Sequence, residues 1–347
     1  MEFVSNYARS ELSVALAIAL LSACAMAALA MAVPAYAAAQ AKPAVAATRD
    51  VTAAEPVASA AQAPTTALER IRAAGKIVLG YRADAAPMSY RDASGRPVGY
   101  AVTLCNRVAG ELKRDLGSSP SIEWVEVESG FADLQEHRVD MICDSDEVTQ
   151  ANREKVSFSI PIFPGGVSAV VRRNAPDALQ RALEERPRPY EPLWRGTPPP
   201  TLEHRTYSAL VGSPTMAALR DRITNMRLTA NVEPVADYDA GIAAVRKPRI
   251  DVLFGDREKL LEAVQRSASR KDLQVLTRHF TFVALALALP RNDDDYRLAV
   301  DRALSTFYAD PQFGALYSAN FGTPDADTVA FFRSVGVPVS SPVGPTR

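Results

Sequence analysis

The chain has 347 residues, of which 48% are hydrophobic and 23% charged, and its formal net charge is −1 at pH 7. That length suits two lobes rather than one, and a charge this close to neutral lacks the basic excess that a nucleic-acid partner requires. Three cysteines and three histidines stand in no metal-ligand spacing, and neither a G-x-S-x-G elbow nor a phosphate-cradling glycine loop occurs, so no metal and no cofactor is expected.

The first 37 residues read as an export signal. Met1 to Leu12 is polar with one basic residue, Arg9, and Ser13 to Val33 is almost wholly apolar. Ala35-Tyr36-Ala37 is an A-x-A cleavage site. Two alternatives stand beside soluble periplasmic release. Leu21-Ser22-Ala23-Cys24 fits a lipoprotein box that would anchor the chain through Cys24, and the apolar run is near the ~20 residues a retained span needs. The run continues past Cys24, which favours ordinary cleavage. Removal of the segment takes away Arg9, Glu2 and Glu11, which brings the 39 basic and 40 acidic side chains to equality. Residues 38–64, mostly Ala, Pro, Val, Thr and Gln, bury too little to offset ordering entropy and read as a disordered tether.

Folded structure is expected from Thr65. Thr66 and Glu69 have capping-box spacing, Leu68 and Ile71 give an apolar face, and Gly75 ends that helix. A strand over Lys76 to Tyr81 puts Arg82 at its exit, and turn residues fill Pro87 to Gly95. A helix follows over about 102–116, then a strand from Ile122 to Val127, a short helix from Phe131 to His137, and a strand from Val139 to Cys143. Alternating strands and helices make this lobe α/β with a largely parallel sheet. Asp144 to Asn152 reads as a polar loop that leads to Arg153. An arginine beside Asp, Ser and Thr suits carboxylate capture through its planar fork, with Ser145 and Thr149 able to complete the shell. It equally suits a surface ion pair with Asp144, Asp146 or Glu147. Cys105 and Cys143 can form one disulfide in an oxidising compartment, or be two small buried residues.

Gly166 to Arg172 reads as a strand that runs toward a second lobe. Residues 174–204 are Pro-rich and charged, with a helix over Asp177 to Glu185 and then an irregular loop, a stretch that the family resemblance given below implies is an insertion. The second lobe then begins with a strand over Thr206 to Val211. Gly212-Ser213-Pro214-Thr215 turns into a helix, a place where backbone N–H groups, Ser213 and Thr215 can meet an anion, although Pro214 removes one donor. Further on come a strand over Val232 to Val235, Tyr238 at the start of a helix, and a strand ending at Asp256, which can cap the helix after it. Phe280 to Leu289 is a long apolar strand, which the family resemblance given below implies returns to the first lobe, followed by helices over Asp294 to Tyr308 and Phe313 to Phe321. The resulting division is 65–171 with 286–336 as lobe one, 172–285 as lobe two, and 337–347 as a disordered tail.

Asp140, Cys143, Thr149, Arg153, Val156, Phe158, Ser159 and Pro161 follow the pattern D-x-x-C-x-x-x-x-x-T-x-x-R-R-x-x-V-x-F-S-x-P. Gly75, Ile77, Gly80, Arg82, Pro87, Ser89, Tyr90, Gly95, Gly99, Tyr100, Leu104 and Cys105 follow the N-terminal pattern of the same proteins. The chain thus resembles family 3 extracellular solute-binding proteins of amino-acid ABC importers over roughly residues 66–336, and glutamate/aspartate-type receptors in particular. The resemblance implies a two-lobe α/β fold that closes like a flytrap, and a monomer that takes an amino acid between its lobes and delivers it to an ABC transporter permease. It also implies roles: Arg153 on the ligand's α-carboxylate, Asp256 on its α-amino group, and Arg82 near an acidic ligand side chain. Asn152 stands where the first arginine of the motif pair is usual, Gly130 stands where many relatives carry an arginine, and Asp144, Asp146 and Glu147 add negative charge. A neutral or basic ligand therefore fits as well as an acidic one. Two other readings share the fold: a periplasmic dehydratase of prephenate or arogenate type, and a receptor that feeds a signalling partner.

Overall fold

The computed structural model describes residues 66–117, 119–185 and 200–338. The export signal, Cys24, the tether, the middle of the Pro-rich insertion and the end of the tail lie outside the described residues. Among the described residues no helix is long and apolar enough to cross a membrane.

Two sheets organise the chain. The first begins with helix α1 (Ala67–Ala74). Thr66 caps it through a reciprocal box with Glu69, and Gly75 closes it in the left-handed region. Strand β1 (Lys76–Tyr81) leads to a small three-stranded meander, β2 (Asp84–Ala85), β3 (Ser89–Arg91) and β4 (Pro97–Val98). Helix α2 (Tyr100–Leu116) returns over the sheet to β5 (Ser121–Glu126), and the short α3 (Ala132–Gln135) leads into β6 (Met141–Glu147). β1 pairs in parallel with both β5 and β6, the arrangement that right-handed helical crossovers produce.

β6 departs from the sequence reading. The polar stretch after Cys143 is not loop: the strand continues through Asp144, Ser145 and Asp146 to Glu147. The reason lies in strand β14 (Val283–Leu289), an apolar run that pairs antiparallel with β6 and sets Leu285 opposite Glu147 and Ala286 opposite Asp146. Backbone pairing needs no apolar side chain, so a polar run can finish a strand wherever a partner strand is present.

After the one-turn helix α4 (Gln150–Arg153), β7 (Ser157–Phe158) and β8 (Phe163–Gly165) also pair with β14 and complete the first sheet. The chain then crosses at Gly166. Strand β9 (Val167–Arg172) belongs to the second sheet, where its residues from Val167 to Val171 register against β12 (Val252–Asp256). The boundary read at residue 171 thus falls a strand too late, and the return boundary near 285 divides β14, all of which pairs within the first sheet. Gly166 holds φ at +102°, and a Cβ there would come within 2.2 Å of the Thr281 carbonyl oxygen. The two crossing segments pass that close only because this residue is glycine.

The second sheet runs β11 (Asn231–Val235), β10 (Thr206–Leu210), β12, β9 and β13 (Leu273–Val275). β10 pairs in parallel with β11 and β12, whereas β9 pairs antiparallel with β12 and β13. Helices α6 (Pro214–Asn225), α7 (Tyr238–Arg246) and α8 (Arg257–Arg266) connect its strands. β13 is absent from the sequence reading because its three residues carry no alternation long enough to register. The described ends of the insertion join this lobe. Leu179 and Leu183 of α5 (Asp177–Leu183) are buried in its core, and Tyr207 donates to the Leu202 carbonyl at 2.9 Å. Arg172 also belongs here: its guanidinium donates to the Val245 and Ile250 carbonyls and pairs with Asp251.

Helices α9 (Asp294–Tyr308), α10 (Pro311–Phe321) and α11 (Ala326–Val335) end the described chain. α11 was not expected from the sequence. Its Phe332 enters a cluster of Phe313, Tyr317 and Tyr308 rings. Both faces of both sheets are covered by apolar clusters, as sheets with parallel cores require. A disulfide joins Cys105 of α2 to Cys143 of β6, with Cα atoms 6.0 Å apart.

Candidate functional site

The carboxyl ends of the parallel strands in both sheets face one cleft of about 620 Å³, where open α/β sheets ordinarily receive ligands. Its size is that of a small-molecule site. The first sheet contributes Arg82 after β1, and Asp144, Ser145 and Glu147 from β6. The second contributes Ser213 and Thr215 at the start of α6, Tyr238 at the start of α7, Phe254 to Asp256 at the end of β12, and Glu258 and Lys259 in the first turn of α8. The crossing segments, Gly166-Val167 and Thr281 to Val283, form its back. An adjoining cavity of about 790 Å³ shares Ala86, Tyr238 and Lys259 with the cleft.

Of the residues read from the sequence, the structure brings together Arg82, Ser145, Ser213, Thr215, Tyr238 and Asp256 around this space. Thr149 and Arg153 are not among the lining residues. Thr149 caps α4, its hydroxyl accepting from the Asn152 N–H at 3.1 Å. Asn152 in turn donates its side-chain amide to the Glu147 carbonyl at 2.9 Å. Arg153 is exposed at the end of the turn. Successive residues of a helix point about 100° apart, so Arg153 cannot take the direction of Asn152 without unwinding α4. The family motif is thus present in the sequence, while the arginine it retains stands outside the cleft.

The polar groups that do line the cleft are largely engaged with one another. Arg82 donates from Nε and Nη2 to Oδ1 of Asp84, at 3.2 and 2.9 Å. Its backbone N–H donates to Ser89 Oγ, which ties the end of β1 to the meander. Asp256 sits at the N-cap of α8 without a side-chain cap bond, contrary to the sequence expectation. Its carboxylate instead accepts from Lys259 Nζ at 3.0 Å, and its backbone N–H donates to Tyr238 Oη. Tyr238 packs against Gly255, where an added Cβ would fall 2.4 Å from the ring. Ser213 caps α6 through the Met216 N–H and donates to the Leu210 carbonyl.

Five charged residues of the cleft escaped the sequence reading as ligand contacts: Asp84, Asp144, Glu147, Glu258 and Lys259. Asp144 and Glu258 are each 8% exposed. Asp144 Oδ1, Asp146 Oδ2 and Glu258 Oε2 are buried without a hydrogen-bond partner. Burial raises the Asp144 carboxyl above its usual range, with the Ser145 N–H and Arg82 acting against the rise. Burial and then the neighbouring Asp144 push Asp146 up to about 7. Burial likewise pushes Glu258 up to about 7, with Asp256 and Glu147 adding to it. A usable signal was present in part: Asp144 and Asp146 are two apart on a strand and therefore share a face. Glu258 carried none, since a glutamate in the first turn of a helix is ordinary.

The sequence profile of the bacterial extracellular solute-binding proteins, family 3, matches residues 77–323. The chain belongs to that family. Among curated relatives, the L-cystine-binding protein TcyJ of Escherichia coli is 21% identical over 256 residues, which cover 74% of this chain and 86% of that protein. The L-glutamate/L-aspartate-binding protein of Pseudomonas aeruginosa is 20% identical over 265 residues, covering 75% of this chain and 81% of its own. Among solved structures, a polar amino acid ABC uptake transporter substrate-binding protein from Streptococcus thermophilus superposes with a TM-score of 0.61 at 18% identity, over 78% of this chain and 96% of that one. The L-cystine solute receptor of Neisseria gonorrhoeae, in an unliganded open conformation, gives a TM-score of 0.57 at 16% identity, over 79% and 100% of the two chains. This family member has the two-lobe α/β fold of those structures, and the family is one of binding proteins.

Proposed function

We propose that this solute-binding protein captures a small amino-acid-like molecule in the cleft between its two sheets and delivers it, after export, to an ABC transporter permease. The observation that carries the reading is the convergence of polar side chains from both sheets on one space backed by the two crossing segments. A ligand there touches both lobes at once, so it binds a closed arrangement more tightly than an open one. That difference in affinity is what lets a transporter distinguish loaded from empty protein. Of the eight contacts read from the sequence, the six that line the cleft, Arg82, Ser145, Ser213, Thr215, Tyr238 and Asp256, are the proposed ones. Capture by the L-cystine and L-glutamate/L-aspartate proteins among its relatives supports the amino-acid class. The Ala35-Tyr36-Ala37 site supports release into the periplasm. The test is a thermal-shift screen of the exported protein over amino acids and related amines, followed by calorimetric titration. A ligand that binds only the native state raises the melting temperature, and the absence of any such solute would refute the reading.

A further inference from the structure

The charge of the cleft is one-sided. Its lining holds Asp84, Asp144, Glu147, Asp256 and Glu258 against Arg82 and Lys259. Each of the two cations already meets a carboxylate, Arg82 that of Asp84 and Lys259 that of Asp256. The remaining anion-binding device, the start of α6, is weakened. Pro214 has no N–H to give, and the Ser213 hydroxyl is taken up by Met216 and Leu210. No arginine of the lining is left to grip a ligand carboxylate, because Arg153 stands outside.

The buried carboxylates, by contrast, lack donors. Asp144 Oδ1 on one wall and Glu258 Oε2 on the other are unpartnered, and both residues line the cleft. A buried acceptor without a partner is destabilising, and a ligand N–H that reaches it removes that cost. Between these walls, Met88, Val167, Leu210 and Leu285 offer an apolar stem-binding surface. Two aromatic residues, Phe282, 60% exposed, and Tyr238, also line the cleft, and an aromatic ring attracts a cation. Among the described residues no group of three or more His, Cys, Asp or Glu is placed to hold a metal ion. Carboxylates divided between two walls suit an organic cation with several N–H donors.

Resting on the solute-binding reading above, we propose that the cleft selects a cationic solute, an alkylammonium or guanidinium, with its charged head between Asp144 and Glu258, and that recognition does not depend on a carboxylate in the ligand. Binding couples to protons. Glu258, at about 7 when the cleft is empty, faces Asp256 and Lys259 on its own helix and Glu147 on β6. Asp144 faces Arg82, Asp84 and Lys259, as well as Asp146 beside it. A bound cation favours the ionised form, so a proton leaves as the ligand enters. For one linked proton with a pKa near 7, affinity falls roughly tenfold from pH 8 to pH 6.

The experiment is calorimetric titration of the exported protein with arginine, lysine, agmatine, cadaverine, glutamate, cystine and glutamine, at pH 8 and pH 6. The expected result is binding of the cations, with agmatine within tenfold of arginine, and weaker binding at pH 6. Asp144→Asn and Glu258→Gln should each weaken cation binding at least tenfold, and the melting temperature of the empty variants shows that they fold. Binding of glutamate, cystine or glutamine but of no cation overturns the inference and leaves solute binding intact. Binding of no solute overturns both. Arginine bound without agmatine overturns the independence from the carboxylate, and parental affinity in both variants overturns the placement of the head.

Discussion

Opening the Cys105–Cys143 disulfide should cost about 4 kcal/mol, and the signature of the cost is non-additivity. The two half-cystines are 38 residues apart in sequence and both are fully buried, one on α2 and one on β6. Closing a loop of that length removes chain entropy from the unfolded state in proportion to the logarithm of its length, roughly 4 kcal/mol at 25 °C. For a domain of more than 150 residues each kcal/mol moves the melting temperature by about 2–4 °C, so the bond accounts for roughly 8–16 °C. Either single variant, Cys105→Ala or Cys143→Ala, already breaks the bond. Each should therefore lose nearly the full amount, and the double variant only the further cost of a second missing sulfur. Urea unfolding of the parent, both singles and the double gives the cycle, and a coupling of several kcal/mol is expected. If the singles each lose about 1 kcal/mol and the double loses their sum, the sulfurs act only as packing atoms and the cross-link argument fails.

Further outcomes follow from other sites. Arg257 is 2% exposed, donates to the Leu276 carbonyl at 2.7 Å and pairs with Asp325 at 2.9 Å. Truncation of a buried pair costs about 3–5 kcal/mol, and the partial exposure of Asp325 brings Arg257→Met to about 2–3, readable by urea unfolding; less than about 1 kcal/mol would contradict it. Gly166→Ala meets both a positive φ and the Thr281 carbonyl, so it should lose at least about 1–3 kcal/mol, and a calorimetric trace matching the parent's would show that the crossing segments are not packed as described. Glu258 and Asp146 bind protons more tightly folded than unfolded. Their contribution to the stability of the empty protein is present below about pH 4 and is lost as pH rises to about 7. Glu258→Gln should flatten the fall in melting temperature between pH 5 and pH 7, and an unchanged slope would place the titration elsewhere.

What the sequence by itself determined is the order and kind of most elements, because their causes are local. Thr66, Glu69 and Gly75 start and stop α1, the apolar face of α2 and the run of β14 announce themselves, and Ser213 can cap a helix wherever the chain goes. The family motif was legible for the same reason, since it is a string of neighbouring residues. What only the tertiary structure decided is pairing and direction. β14, far along the chain, extends β6 through Asp144 and Asp146. Registry with β12 assigns β9 to the second sheet. One turn of helix points Arg153 out of the cleft while Asn152 is held by the Glu147 carbonyl. Glu258 becomes a buried group only when α8 is brought against the cleft near Glu147. Propensity and capping act over a few residues, whereas burial, and with it the charge state of a carboxylate, depends on whichever distant segment removes the water.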